Sequence, residues 1–134
     1  MTTIQSKKLT INQIDVKLYE FLKNFNNFEK LMPPQITNWS SDTSTCNFTI
    51  EGMADVSLEL GNCIPNSKII YVSAGKTPFN FDLVTNITTL PDNKTECQIV
   101  MNADLNPFLK IMAERPLNNF VNTLIEKLKE VSEK

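Results

Sequence analysis

The residues with chemical potential in this chain are few, and their types restrict what they can do. Asp55, Glu59, Asp82, Glu96 and Asp104 stand on or beside alternating segments. A carboxylate there becomes a general base only if it points inward and burial raises its pKa. The alternation instead places all five opposite the apolar positions, on a solvated face. The chain has no histidine, so the commonest neutral-pH base and metal ligand is absent. Cys46, Cys63 and Cys97 are widely spaced, which disfavours a zinc site or a Cys–His nucleophile. They read as buried thiols. Gly52, Gly61 and Gly75 form no phosphate-cradling loop. No catalytic residue, metal or cofactor is therefore assigned.

The remaining polar candidates suit binding better than catalysis. Arg115 is the only arginine, and Pro116 follows it. A proline inside a helix removes a backbone hydrogen bond and bends the axis. Such a bend would open one end of an interior space and aim Arg115 at an anionic head group; the alternative is an exposed arginine on the helix surface. Trp39 and Tyr71 suit stacking or hydrogen bonding in a pocket, or plain core packing with a polar tip. Met53, Met101 and Met112 suit an adaptable apolar lining or ordinary core.

These candidates must be positioned by one domain spanning 1–134, a length at which a chain buries roughly 65–70% of its unfolded surface. Net charge is −2 and no basic cluster is present, which disfavours nucleic acid and anionic membrane. The first residues lack the apolar core of a signal peptide, and no run approaches the ~18 apolar residues of a membrane span. A cytoplasmic location, in a bacterium, is the expectation.

Periodicity supplies the elements. Residues 2–11 read as a strand, 13–24 as a helix capped by Asn12, and 26–31 as a second short helix stopping before Pro33-Pro34. Alternation with a period of two then marks six strands: around Trp39, at 46–50, at 56–60, at 69–74, at 79–88 and at 97–103. Short gaps between them imply sequential antiparallel hairpins. From about 107 to 131 the period becomes helical, with Asn106 as cap and Pro107 in the first turn. Phe108, Met112, Ala113, Leu117, Phe120, Val121, Leu124 and Leu128 form its apolar stripe. One long helix must cover a wide one-sided sheet, which leaves room for a cavity.

This order resembles the helix-grip fold of the START-like (SRPBCC) superfamily. Locally the chain is similar to a small Bacteroidetes-type branch of uncharacterised function. The residues carrying the resemblance are Tyr19-Glu-Phe-Leu, Phe25-Asn-Asn-Phe, Cys46-Asn-Phe-Thr-Ile-Glu-Gly-Met and Pro78-Phe-Asn-Phe. The longest stretch is Asn106-Pro-Phe-Leu-Lys-Ile-Met-Ala-Glu-Arg-Pro-Leu-Asn-Asn-Phe-Val. The resemblance covers nearly the whole chain. It implies an α+β domain with a curved antiparallel sheet of about seven strands wrapped around a long C-terminal helix, two short helices following strand 1. It also implies an apolar cavity that takes lipids, isoprenoids or polyketides.

The expected function is binding or carriage of an apolar small molecule. The expected lining is Phe48, Ile50, Leu58, Tyr71, Phe79, Phe81, Met101, Phe108, Met112, Arg115 and Phe120. Two alternatives stand beside it. One is a cyclase or dehydratase that orients a reactive substrate. The other is a protein-interaction module or homodimer using Ile70, Val72, Val84 and Val100 on the outer sheet face.

Overall fold

The computed structural model describes residues 1–75 and 77–133. The chain opens with two short strands, β1 (Thr2–Gln5) and β2 (Leu9–Ile11). Helices α1 (Asp15–Leu22) and α2 (Phe25–Phe28) follow, and a single 3-10 turn (Glu29–Leu31) extends α2. Six strands come next: β3 (Ile36–Ser41), β4 (Thr45–Ile50), β5 (Ala54–Leu60), β6 (Lys68–Ser73), β7 (Phe81–Leu90) and β8 (Lys94–Ala103). Helix α3 (Pro107–Ser132) ends the described chain.

All strands join one antiparallel sheet in the order β1-β8-β7-β6-β5-β4-β3, with β2 also paired to β8. This is the expected architecture with one strand divided. Residues 2–11 do not run straight, because Ser6 interrupts them. Its backbone N–H donates to Ile99 C=O at 2.8 Å, and its side-chain Oγ accepts from Ile99 N–H at 2.9 Å. Pairing resumes one residue out of step, since Gln5 faces Val100 and Leu9 faces Cys97. The hydroxyl has replaced a backbone acceptor, as serine can do within a strand.

Helix α1 begins later than periodicity indicates. Asn12 does not cap it; its N–H donates to Glu133 Oε2 at 2.8 Å. Ile14 occupies the cap position without a side-chain bond to the helix. The Asn24 side chain caps α2 by accepting from Asn26 N–H at 2.9 Å. Asn106 caps α3 by accepting from Leu109 N–H at 2.9 Å, with Pro107 in the first turn as expected.

The inner face follows the period of two. Phe48 faces Val56 across β4 and β5, and Leu83 faces Met101 across β7 and β8; all four are buried. Helix α3 closes this face with Ala113, Leu117, Phe120, Val121, Leu124, Ile125 and Leu128. Full burial of one such aliphatic side chain contributes about 1.5–3 kcal/mol. The buried residues from sheet and helices form one hydrophobic cluster. Polar links hold the N-terminal segment to α3, among them Lys7 N–H to Asn122 Oδ1, Asn12 N–H to Glu133, Lys129 Nζ to Thr10 C=O and the Lys7–Glu126 ion pair.

Candidate functional site

Two backbone devices shape the sheet end that meets α3. Between β4 and β5, Met53 N–H donates to Ile50 C=O at 2.9 Å, making a tight turn. Gly52 sits there at φ +78°, which suits the third position of a type II turn and is strained for other residues. In β3, Thr37 faces Thr49 while Ser40 faces Asn47, so β3 carries one extra residue. Asn38 absorbs this bulge at φ +56°. The bulge delivers the Trp39 ring onto Phe48, stacked at 5.4 Å between centroids and 13° between planes.

Phe48 in turn lines a closed apolar space between the sheet and α3. Seven of the expected lining residues meet there: Phe48, Ile50, Leu58, Phe79, Phe81, Met101 and Phe120. Met53, Val56, Pro78, Leu83 and Leu117 complete the wall, and none of the twelve is polar. Its free volume is only about 10 Å³. That is room for one water by size, in a place without partners to bind one. The side chains fill the interior in this conformation.

Beside it lies an open pocket of about 370 Å³, within the range of small-molecule sites. Gln35, Glu51, Arg115 and Asn119 supply its polar side chains, and Gly52 and Pro116 also border it. Ile50, Met53, Leu117 and Phe120 line both spaces. These four side chains are thus the partition between an open, partly charged mouth and a closed, wholly apolar interior. Arg115 is exposed, and among the described residues it forms no ion pair.

Three expected lining residues stand elsewhere. Tyr71 is fully buried but packs against Phe25 at 4.7 Å and Phe28 at 4.8 Å, under the short helices. Its hydroxyl donates to Leu22 C=O. Burial pushes its pKa well above the ordinary tyrosine value, so it is a fixed neutral donor. Phe108 and Met112 are 69% and 61% exposed. The buried stripe of α3 runs through Ala113, Leu117, Leu124 and Leu128. At about 100° per residue, Met112 lies about 100–160° and Phe108 about 140–180° round the helix from these positions. They form an outward-facing patch with Ile111, which is 84% exposed.

The carboxylates face outward. Asp55 accepts from Thr49 Oγ1 at 2.8 Å and Asp82 from Asn102 Nδ2 at 2.8 Å, both on the outer sheet surface. Burial raises the Cys46 and Cys97 thiols to about 12, which removes them as nucleophiles near neutral pH. Cys63 is half-buried and accepts from Ile70 N–H. Among the described residues no group of His, Cys, Asp or Glu is arranged to hold a metal ion. No helix among them is long and apolar enough to cross a membrane.

No family model and no curated protein match the chain. Solved structures do. A START superfamily protein from Mycobacterium smegmatis aligns over 98% of this chain and 97% of its own, at 13% identity and TM-score 0.77. The Aha1 dimer from Colwellia psychrerythraea aligns over 99% and 97%, at 20% identity and TM-score 0.72. A protein from Deinococcus radiodurans aligns over 98% of both chains, at 16% identity and TM-score 0.68. At these identities the likeness is one of fold, and the fold is the helix-grip fold of START-like proteins.

Proposed function

We propose that the chain is a single START-like domain that binds an apolar small molecule between its sheet and α3, by parting the side chains of the closed interior. One observation carries this reading. A wholly apolar interior meets a half-open pocket across only four side chains, Ile50, Met53, Leu117 and Phe120. Met53 is unbranched and rotates at low cost. Its backbone lies in the turn between β4 and β5, at the end of the sheet, rather than within a strand. Pro116, beside Leu117, removes one N–H from the α3 ladder and leaves the Met112 C=O without its helical partner. Two of the four, Met53 in the β4–β5 turn and Leu117 next to Pro116, therefore stand where the strand or helix ladder is interrupted. The START superfamily fold of the Mycobacterium smegmatis neighbour accords with this reading.

The outward carboxylates and the apolar interior support carriage over catalysis. The test is native mass spectrometry and thermal melting of the full chain with a panel of fatty acids, isoprenoid alcohols and polyketide-like aromatics. A ligand that binds only the folded state raises the melting temperature by mass action. Absence of any bound species and of any shift across the panel overturns the proposal.

A second reading is favoured by the exposed Phe108, Ile111 and Met112, since a contiguous apolar patch commonly marks a partner surface. The Aha1 neighbour is described as a dimer. Sedimentation of wild type against Ile111→Lys separates the cases: a dimer dissociated by the substitution supports this reading, and a monomer in both removes it.

A further inference from the structure

We infer that the ligand is an amphiphile with one carboxylate head, held at the mouth by Arg115 while its chain passes Met53 and Phe120 into the interior. This rests on the apolar-binding reading above and narrows it to a chemical class.

The two adjoining spaces differ sharply in chemistry. Among the described residues the interior offers no polar side chain to a ligand, so what enters it must be hydrocarbon or aromatic. Among the described residues, the mouth offers Arg115 as its only cationic side chain, with the carboxamides of Gln35 and Asn119 as further donors. The planar guanidinium presents paired N–H groups that match a carboxylate in two-point geometry. Among the described residues Arg115 has no carboxylate partner, so a ligand displaces no internal ion pair. Glu51 also lines the mouth. Its charge opposes a second negative charge nearby, which favours a monoanion over a dianion such as a phosphate monoester. The floor between head and interior is Ile50, Met53, Leu117 and Phe120, apolar throughout. The order cation, amide donors, apolar floor, apolar interior is the order of parts in a fatty acid.

The test measures binding of decanoate and of decanol by titration calorimetry, with Trp39 emission as a second readout because its ring stacks on the lining residue Phe48. The proteins are wild type, Arg115→Gln and Arg115→Lys, each checked for an unchanged melting temperature. Loss of a charge-assisted hydrogen bond is expected to weaken decanoate about tenfold in Arg115→Gln and to leave decanol unchanged. Arg115→Lys should recover part of the loss, and high salt should reduce the wild-type advantage. If Arg115→Gln weakens both ligands equally or neither, or if only decanol binds, the carboxylate assignment falls while apolar binding stands. If neither ligand binds wild type, the carboxylate assignment falls, and the apolar-binding proposal is decided by the wider panel.

Discussion

The Tyr71 hydroxyl, in the middle of β6, donates its hydrogen to the carbonyl of Leu22 at the end of α1. The last carbonyls of a helix lack partners within it, and here a buried phenol supplies one. The bond ties the short-helix layer to the sheet, with Phe25 and Phe28 packed on the same ring. Tyr71→Phe keeps the packing and leaves the carbonyl without this donor. It should lower unfolding free energy by about 1–3 kcal/mol in urea titration. Unchanged stability would mean that the carbonyl finds another donor.

Met101 is 2% exposed and lines the closed space. Met101→Ala should cost about 2–5 kcal/mol, the range for truncating a buried large side chain. It should also leave a dry apolar void. Benzene should then raise the melting temperature of the variant and not of wild type. Equal shifts in both would show that wild type already opens readily.

Asn38 holds the β3 bulge in a left-handed conformation, at φ +56°. Asn38→Ala should cost about 1–2 kcal/mol, because a Cβ without a helping side chain is disfavoured there. Asn38→Gly should be close to neutral and should preserve the Trp39 emission spectrum, which reports the Trp39–Phe48 stack. A Gly variant less stable than the Ala variant would contradict the strain argument.

Alkali should unfold the protein partly through two thiols. Cys46 and Cys97 ionise at about 12 when folded, against 9.0 for an ordinary thiol, because burial disfavours the thiolate. The folded pKa is the higher one, so this contribution is complete below pH 9 and is lost as pH climbs toward 12. The slope is up to about 1.4 kcal/mol per pH unit for each group. Denaturant midpoints of Cys97→Ala should fall less steeply than wild type across that window. Iodoacetamide near neutral pH should modify half-buried Cys63 first, with Cys46 and Cys97 reacting only on unfolding.

The fold was legible because its two periods are clean. Phe48, Val56, Leu58, Leu83 and Met101 alternate inward with few interruptions, and Leu117, Val121, Leu124 and Leu128 repeat at helical spacing. What periodicity leaves open is position along a face. It turned Tyr71 inward correctly, yet the concave face has two ends, one roofed by α1 and α2 and one opening beside Arg115. Nothing local distinguishes them. Phe108 and Met112 misled for a related reason: both are apolar residues of the same helix, yet they sit on the side away from the buried stripe. Met53, read from its type as suiting an apolar lining or ordinary core, is set in the wall by the turn at Gly52. Ser6 divided the first strand through a side-chain hydrogen bond whose partner, Ile99, lies far along the chain.

The pairing of β1 and β2 with β8 has a consequence for biosynthesis. Thr2 faces Ala103 and Ile11 faces Thr95, so residues 2–11 leave the ribosome well before β8, the final described strand and the neighbour on which both β1 and β2 pair. The hairpins from β3 onward can zip in order of emergence, each needing only the strand before it. The N-terminal strap closes the sheet afterwards, together with the long helix that it touches, and such distant closures are slow steps in folding. A stalled nascent chain ending before Lys94 should therefore expose residues 2–11 to protease while the later hairpins are already protected.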